Sequence, residues 1–234
     1  MAGPGVKSSF WTGVREGLPF LLVILPFATL FGVVSSDAGL NAGEALAFSI
    51  AVIAGASQFT ALQLLQENVP LVVVLASALA VNLRMAMYSA SLTPALGKLP
   101  LWKRAVCAYF LVDQNYALSV VKFETERDLS LAEKFAYFLG ATMPLCPFWY
   151  AFTVVGALVG SAIPTEWGLD FAMPLAFIAM IGPALRTGAH RTAALVASVA
   201  ALTFAFLPFN LGLLVAAGLG MAAGAEVERR VGAK

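Results

Sequence analysis

LPFLLVILPFATLFGVVSS, residues 18 to 36, decides the class of fold, because it contains no Asp, Glu, Lys or Arg and is bounded by Glu16 on one side and Asp37 on the other. At a rise of about 1.5 Å per residue it crosses most of a hydrocarbon core roughly 30 Å thick. Further apolar tracts follow at about 45–66, 70–92, 105–121, 135–160, 169–185 and 192–225. The last is too long for one crossing, and Pro208, Phe209 and Asn210 are expected to divide it into two short helices. Lipid offers backbone groups no hydrogen-bond partners, so the tracts read as helices unless irregular backbone is shielded by protein or faces a water-filled cavity.

The whole chain agrees with that stretch. Of 234 residues, 60% are hydrophobic and 12% charged, against about 25% charged in an average soluble domain. A soluble globule is excluded. The expected fold is all-α: a polytopic transmembrane helical bundle of about seven to eight segments, some broken or re-entrant. Residues 1–17 form a cytoplasmic N-terminal segment, 18–225 a single transmembrane domain and 226–234 a polar tail. The run after Lys7 and Arg15 exceeds an ordinary signal-peptide core and is expected to be retained as the first helix. A net charge of +1 without a dense basic cluster argues against a nucleic-acid partner. Cys107 and Cys146 lack metal-ligand spacing, so no metal or cofactor is expected.

Lysine and arginine in the connections orient the chain. Lys7 and Arg15 precede the first tract, and none occurs between 37 and 69. Lys98, Lys103 and Arg104 follow the third tract, Lys122, Arg127 and Lys134 the fourth, then Arg186 and Arg191, and finally Arg229, Arg230 and Lys234. Eight simple crossings with both termini cytoplasmic satisfy the positive-inside rule everywhere except at Lys98–Arg104. Either the tract 105–121 or one of its predecessors is therefore a candidate re-entrant segment. Two tracts also echo one another, AFSIAVIAGAS from 47 and PLAFIAMIGPA from 174. Each follows a helix marked by Pro and Gly (Pro19, Pro26, Gly32; Pro144, Pro147, Gly156), a possible internal repeat of the kind found in secondary transporters.

Few residues could carry chemistry. Asp113 is ninth in the tract Ala105–Val121, near mid-membrane if that tract spans. An acid there costs roughly 2.5–3.5 kcal/mol on insertion scales and so marks a function or a charge pair. Tyr109 and Tyr116 share its face. Desolvation favours the neutral form of an unpaired acid, which makes Asp113 the candidate for proton or ion coupling. Arg84, about 12 Å from the end of its tract, is its natural partner, and its guanidinium also suits a substrate carboxylate. Asn82, two residues away, falls on another face of a straight helix. Gly55, Ala56, Ser57 and Gln58 read either as a small-residue packing surface or as the break in a discontinuous helix whose freed polar groups bind a substrate. Composition favours packing; the amide of Gln58 favours the break. His190 lies in a basic loop and Asp170 at a tract boundary, neither placed for an intramembrane protease, so no enzyme is expected.

GASQF at 55–59, NLRMAMYSASLTP at 82–94, DQNYAL at 113–118 and GLDFAMPLAF at 168–177 together resemble the AzlC family, in this order and over nearly the whole chain. The resemblance implies a bacterial inner-membrane exporter of branched-chain amino acids, the large subunit beside a small AzlD-type membrane partner. It carries over substrate-binding roles to Gly55, Ser57, Gln58, Phe59, Asn82, Arg84 and Tyr88, and it matches Asp113. Members often have an acid after that Asp, where this chain has Gln114. With no GxxxxGK[ST] nucleotide motif, an ion gradient, protons first, is the expected energy source. The rival readings are a passive channel for small polar solutes and a membrane scaffold or sensor subunit.

Overall fold

The computed structural model describes residues 5–160, 185, 187–207 and 211–232. Asp170, Arg186, the second echo from 174, the GLDFAMPLAF motif and the expected break at Pro208–Asn210 lie outside the described residues. Every regular element among the described residues is helical, as the lipid argument requires.

Helix α1 (Val6–Gly17) continues through a 3₁₀ turn at Leu18–Phe20 into α2 (Leu21–Asp37), a run of 32 residues long and apolar enough to span. The turn sits where Pro19 removes a backbone donor. Helices α8 (Leu131–Thr142) and α9 (Cys146–Gly160) form a second such run of 30 residues, bent at the turn around Pro144. The two runs pack side by side and parallel: Gly17 lies against Pro144, Gly32 against Gly156, and Val33 against Gly160. A methyl on Gly32 would strike the Thr153 carbonyl and one on Gly156 the Thr29 carbonyl, so the backbones touch only because both side chains are absent. These are the leading helices of the two echoed segments. Helix α5 (Leu71–Leu96) lies between the two runs in chain order, and Leu92 and Leu96 near its end pack with Tyr137 and Phe138 of α8.

The tracts at 45–66 and 105–121 are not single helices. The first is α3 (Ala42–Ala51) and α4 (Gly55–Gln66), separated by extended backbone at 52–54. At 10 and 12 residues each is about half a membrane thick. The chain also reverses at the break. In a straight continuation Ser49 and Gln58 would lie roughly 20 Å apart, yet the Gln58 amide donates to Ser49 Oγ at 3.0 Å. Phe48 of α3 packs on the Ala61–Leu64–Val74 cluster, and Phe59 of α4 meets Phe31, the same ring that Phe48 meets. The pair is a re-entrant hairpin.

The second tract behaves alike from the other side. Helix α6 (Leu101–Tyr109) ends at Phe110, and α7 (Asp113–Thr125) starts after two extended residues. Were these collinear, their outer ends would stand roughly 40 Å apart. Instead Trp102 at the start of α6 meets Phe135, and Phe123 near the end of α7 meets Tyr137, two residues apart on α8. Leu92 and Leu96 of α5, Leu99 and Leu129 join that same buried cluster. Asp113 is therefore not mid-helix but the first residue of a half-helix.

The two hairpins remove the exception to the charge rule. Lys7, Arg15, Lys98, Lys103, Arg104, Lys122, Arg127 and Lys134 gather toward one end of the described bundle, whereas the other end carries Asp37, Glu44 and Glu67. The pair α10 (Gly188–Thr203) and α11 (Leu211–Gly232) packs antiparallel upon itself, Gly220 against Ala197 and Gly224 against Ala193.

Candidate functional site

The two hairpin tips meet. Tyr109, the last residue of α6, donates its hydroxyl to the Ile50 carbonyl at 2.8 Å, joining one tip to the other. Beside this contact lies a cavity of about 410 Å³, in the range of small-molecule sites. Ile53, Ala54, Gly55 and Ala56 of the first tip line it, and Val112, Asp113 and Gln114 of the second. Apolar walls come from α2 (Phe27, Leu30), from Leu145 just before α9 and from Trp149 within it, and α5 contributes Arg84 and Met85.

Each tip is built by a different local chemistry. At the second, Asn115 is fully buried; its Oδ1 accepts from Val112 N–H at 2.9 Å, and its amide donates to the Phe110 carbonyl and to Thr142 Oγ1 at 2.7 and 2.9 Å. One side chain thus satisfies the freed groups of the break and ties it to α8. At the first tip the polar residues hold the hairpin to its neighbours: Ser57 donates to the Ala78 carbonyl of α5 at 2.8 Å, and Gln58 reaches Ser49, whose hydroxyl lies 3.3 Å from that of Thr153 in α9. Helix α4 begins without a side-chain cap, its first backbone N–H with a carbonyl partner being that of Gln58, on Ala54.

The expected charge pair is present: Arg84 Nη1 stands 2.9 Å from Asp113 Oδ2. Arg84 Nε and Asp113 Oδ1 are buried and have no hydrogen-bond partner among the described residues. One turn further along both helices, Tyr88 stacks on Tyr116, with ring centroids 4.0 Å apart and 11° between planes.

Of the residues carried by the resemblance, Gly55, Arg84 and Asp113 line the cavity together. Ser57, Gln58 and Phe59 sit behind it, fully or almost fully buried, Phe59 within the aromatic cluster of Phe27 and Phe31. Tyr88 adjoins the charge pair without lining the cavity, and Asn82 lies off it, as the helical spacing required. Trp149 and Asn115 are site residues that the sequence reading passed over. Asn115 had a signal, being an amide three residues beyond a β-branched residue at a break, which is a capping pattern. Trp149 is one aromatic among many in its tract and has none.

The model of the AzlC protein family matches residues 19–163, which include both hairpins and the whole cavity lining. An uncharacterised membrane protein of Archaeoglobus fulgidus is 29% identical over 216 residues, covering 90% of this chain and 92% of its own. The inner membrane protein YgaZ of Escherichia coli is 27% identical over 213 residues (88% and 85%), and an uncharacterised membrane protein of Helicobacter pylori 28% over 201 (85% and 86%). No solved structure matches the chain.

Proposed function

This chain belongs to the AzlC family, and from that premise we propose that it is a secondary transporter, not an enzyme, that exports branched-chain or similar apolar amino acids. It works in the cytoplasmic membrane of its cell as the large subunit beside a small AzlD-type partner. The observation that carries the reading is the cavity: a mostly apolar chamber at the meeting point of two half-helix tips, with one carboxylate and one guanidinium on its wall. An aliphatic amino acid is apolar at one end and carries both charges at the other. Phe27, Leu30 and Trp149 suit the side chain, and the Asp113 carboxylate suits the ammonium group or a coupling proton. Two helices broken at membrane depth are the architecture by which secondary transporters expose polar backbone to a substrate.

The basic end of the bundle is then cytoplasmic by the positive-inside rule, which puts the open end of the α6–α7 hairpin inside and that of α3–α4 outside. Counterflow of labelled leucine in proteoliposomes, with and without the small subunit, tests the function. Saturable exchange that leucine, isoleucine or valine competes away is expected; non-saturable flux, or none in the two-subunit preparation, overturns the reading.

A further inference from the structure

An exporter takes its substrate from the cytoplasm, so the cavity at the hairpin tips needs a route from the basic end of the bundle, the cytoplasmic end in the reading above. Helix α7 runs from that end to the cavity, and its two faces differ. Asn115, Ser119 and Phe123 are buried, whereas Ala117, Val121 and Thr125 are exposed. Ala117, Leu118, Val121, Lys122 and Thr125 line a second, open hollow of about 500 Å³. Gln114, one turn before Leu118 on the same face, lines the cavity itself. The α1–α2 run repeats the pattern: Glu16 lines the hollow, and Val23 and Phe27 further along line the cavity. The two spaces thus follow one another along one face of α7, with the hollow toward the basic end.

Charged side chains from two elements close over that hollow. Tyr137 of α8, fully buried, donates its hydroxyl to Glu16 and so fixes that carboxylate in place. Lys122 Nζ lies 3.9 Å from Glu16 Oε1, 2.7 Å from Glu126 Oε1 on its own helix and 5.5 Å from the centre of the Tyr137 ring. The contact between α1 and α7 is the long one and the contact within α7 the short one. Parting α7 from Glu16 therefore leaves Lys122 with a counter-ion. Pairs of partly exposed charges are individually weak, which suits a contact that must open and re-form.

We propose that the substrate amino acid reaches the cavity along the Thr125–Val121–Leu118–Gln114 face of α7, and that the contact between Glu16 and Lys122 is the gate of this route, with Glu126 holding Lys122 while the gate is open. Glu16, Lys122 and Glu126 thereby control access and do not touch the substrate once it is seated. The inference rests on the amino acid export proposed above and deepens it by naming the way in.

Cysteine labelling of the two-subunit protein in proteoliposomes tests it, with Cys107 and Cys146 replaced. Ala117→Cys, at an exposed position, should react with a charged, membrane-impermeant maleimide added at the basic end, and the labelled protein should lose leucine exchange because its route is plugged. Lys122→Gln releases α7 from Glu16 and should speed that labelling; Glu126→Gln leaves Lys122 with Glu16 alone and should slow it. Each shift should reach up to about fivefold, the strength of a partly exposed ion pair. A purely structural role would not give opposite signs from two members of one cluster. No labelling from the basic end, exchange that survives labelling, or rates that shift in the same direction or not at all in the two variants overturns the proposal. Should Ala117→Cys not fold, Val121→Cys carries the same test. Absence of leucine exchange in the unaltered two-subunit protein sinks the export reading instead, while the labelling and its two opposite shifts still decide the route.

Discussion

The two hairpins have the same outline and opposite chemistry. In α3–α4 the break is apolar, Val52–Ile53–Ala54, and the half-helix after it opens with Gly55 and Ala56, so its positive end is bare. In α6–α7 the break is stitched shut by Asn115, and the half-helix opens with Asp113, so its positive end is covered by a carboxylate that α5 answers with Arg84. Half-helix ends at membrane depth are electrostatically costly, and each must be neutralised from somewhere. One hairpin carries its own neutralising groups; the first turn of the other lines the cavity without them.

The comparison is broken most severely at Asp113. Asp113→Asn keeps the shape of the side chain and removes its charge, and should abolish export while the protein still reaches the membrane; normal resistance of expressing cells to toxic valine dipeptides would count against the role. Next comes Asn115→Ala, which strands the Val112 N–H and the Phe110 carbonyl inside the bundle and should cost about 3 kcal/mol of stability, read as an earlier unfolding transition in detergent. Gly55→Ala brings a methyl within 2.8 Å of Phe27 and 3.0 Å of Trp149. Both contacts are to ring edges that can shift into the cavity, so folding should survive while preference moves from leucine toward valine, up to about tenfold for one methylene, measured by competition. The smallest effect is expected from Ser57→Ala. It leaves the Ala78 carbonyl, which keeps its place in a helix ladder, and should cost about 0.6 kcal/mol; a loss as large as that of Asn115→Ala would show that the two tips are not built differently.

Much of this was legible in the sequence, and what was not has a physical reason. Charge-free tracts announced membrane helices, and Arg84 with Asp113 announced a pair, because intramembrane charges seek each other when little else can offset their desolvation. The off-face position of Asn82 followed from helical spacing alone. The breaks were harder. Hydropathy sums along a tract and is blind to a reversal within it, so 105–121 read as one segment and Asp113 as its midpoint. The misplaced basic loop at Lys98–Arg104 was the clue that a segment turned back. It named 105–121 or a predecessor, and both 45–66 and 105–121 turn. The small residues at Gly55 and Ala56 suit both a packing surface and a break, and Gly55 marks a break. Gln58 drew attention as an amide in an apolar stretch, but a buried amide meets its needs as well from Ser49 as from a substrate, and no pattern in one chain separates these.

The central claim is that α3–α4 and α6–α7 turn back at mid-membrane from opposite sides, and single cysteines test it most directly. In a chain with Cys107 and Cys146 replaced, Asp37→Cys and Glu67→Cys should react with a membrane-impermeant maleimide from one face of the membrane and Lys98→Cys only from the other. If Asp37→Cys and Glu67→Cys label from opposite faces, the segment between them crosses, and the paired hairpins, with the cavity at their tips, are contradicted.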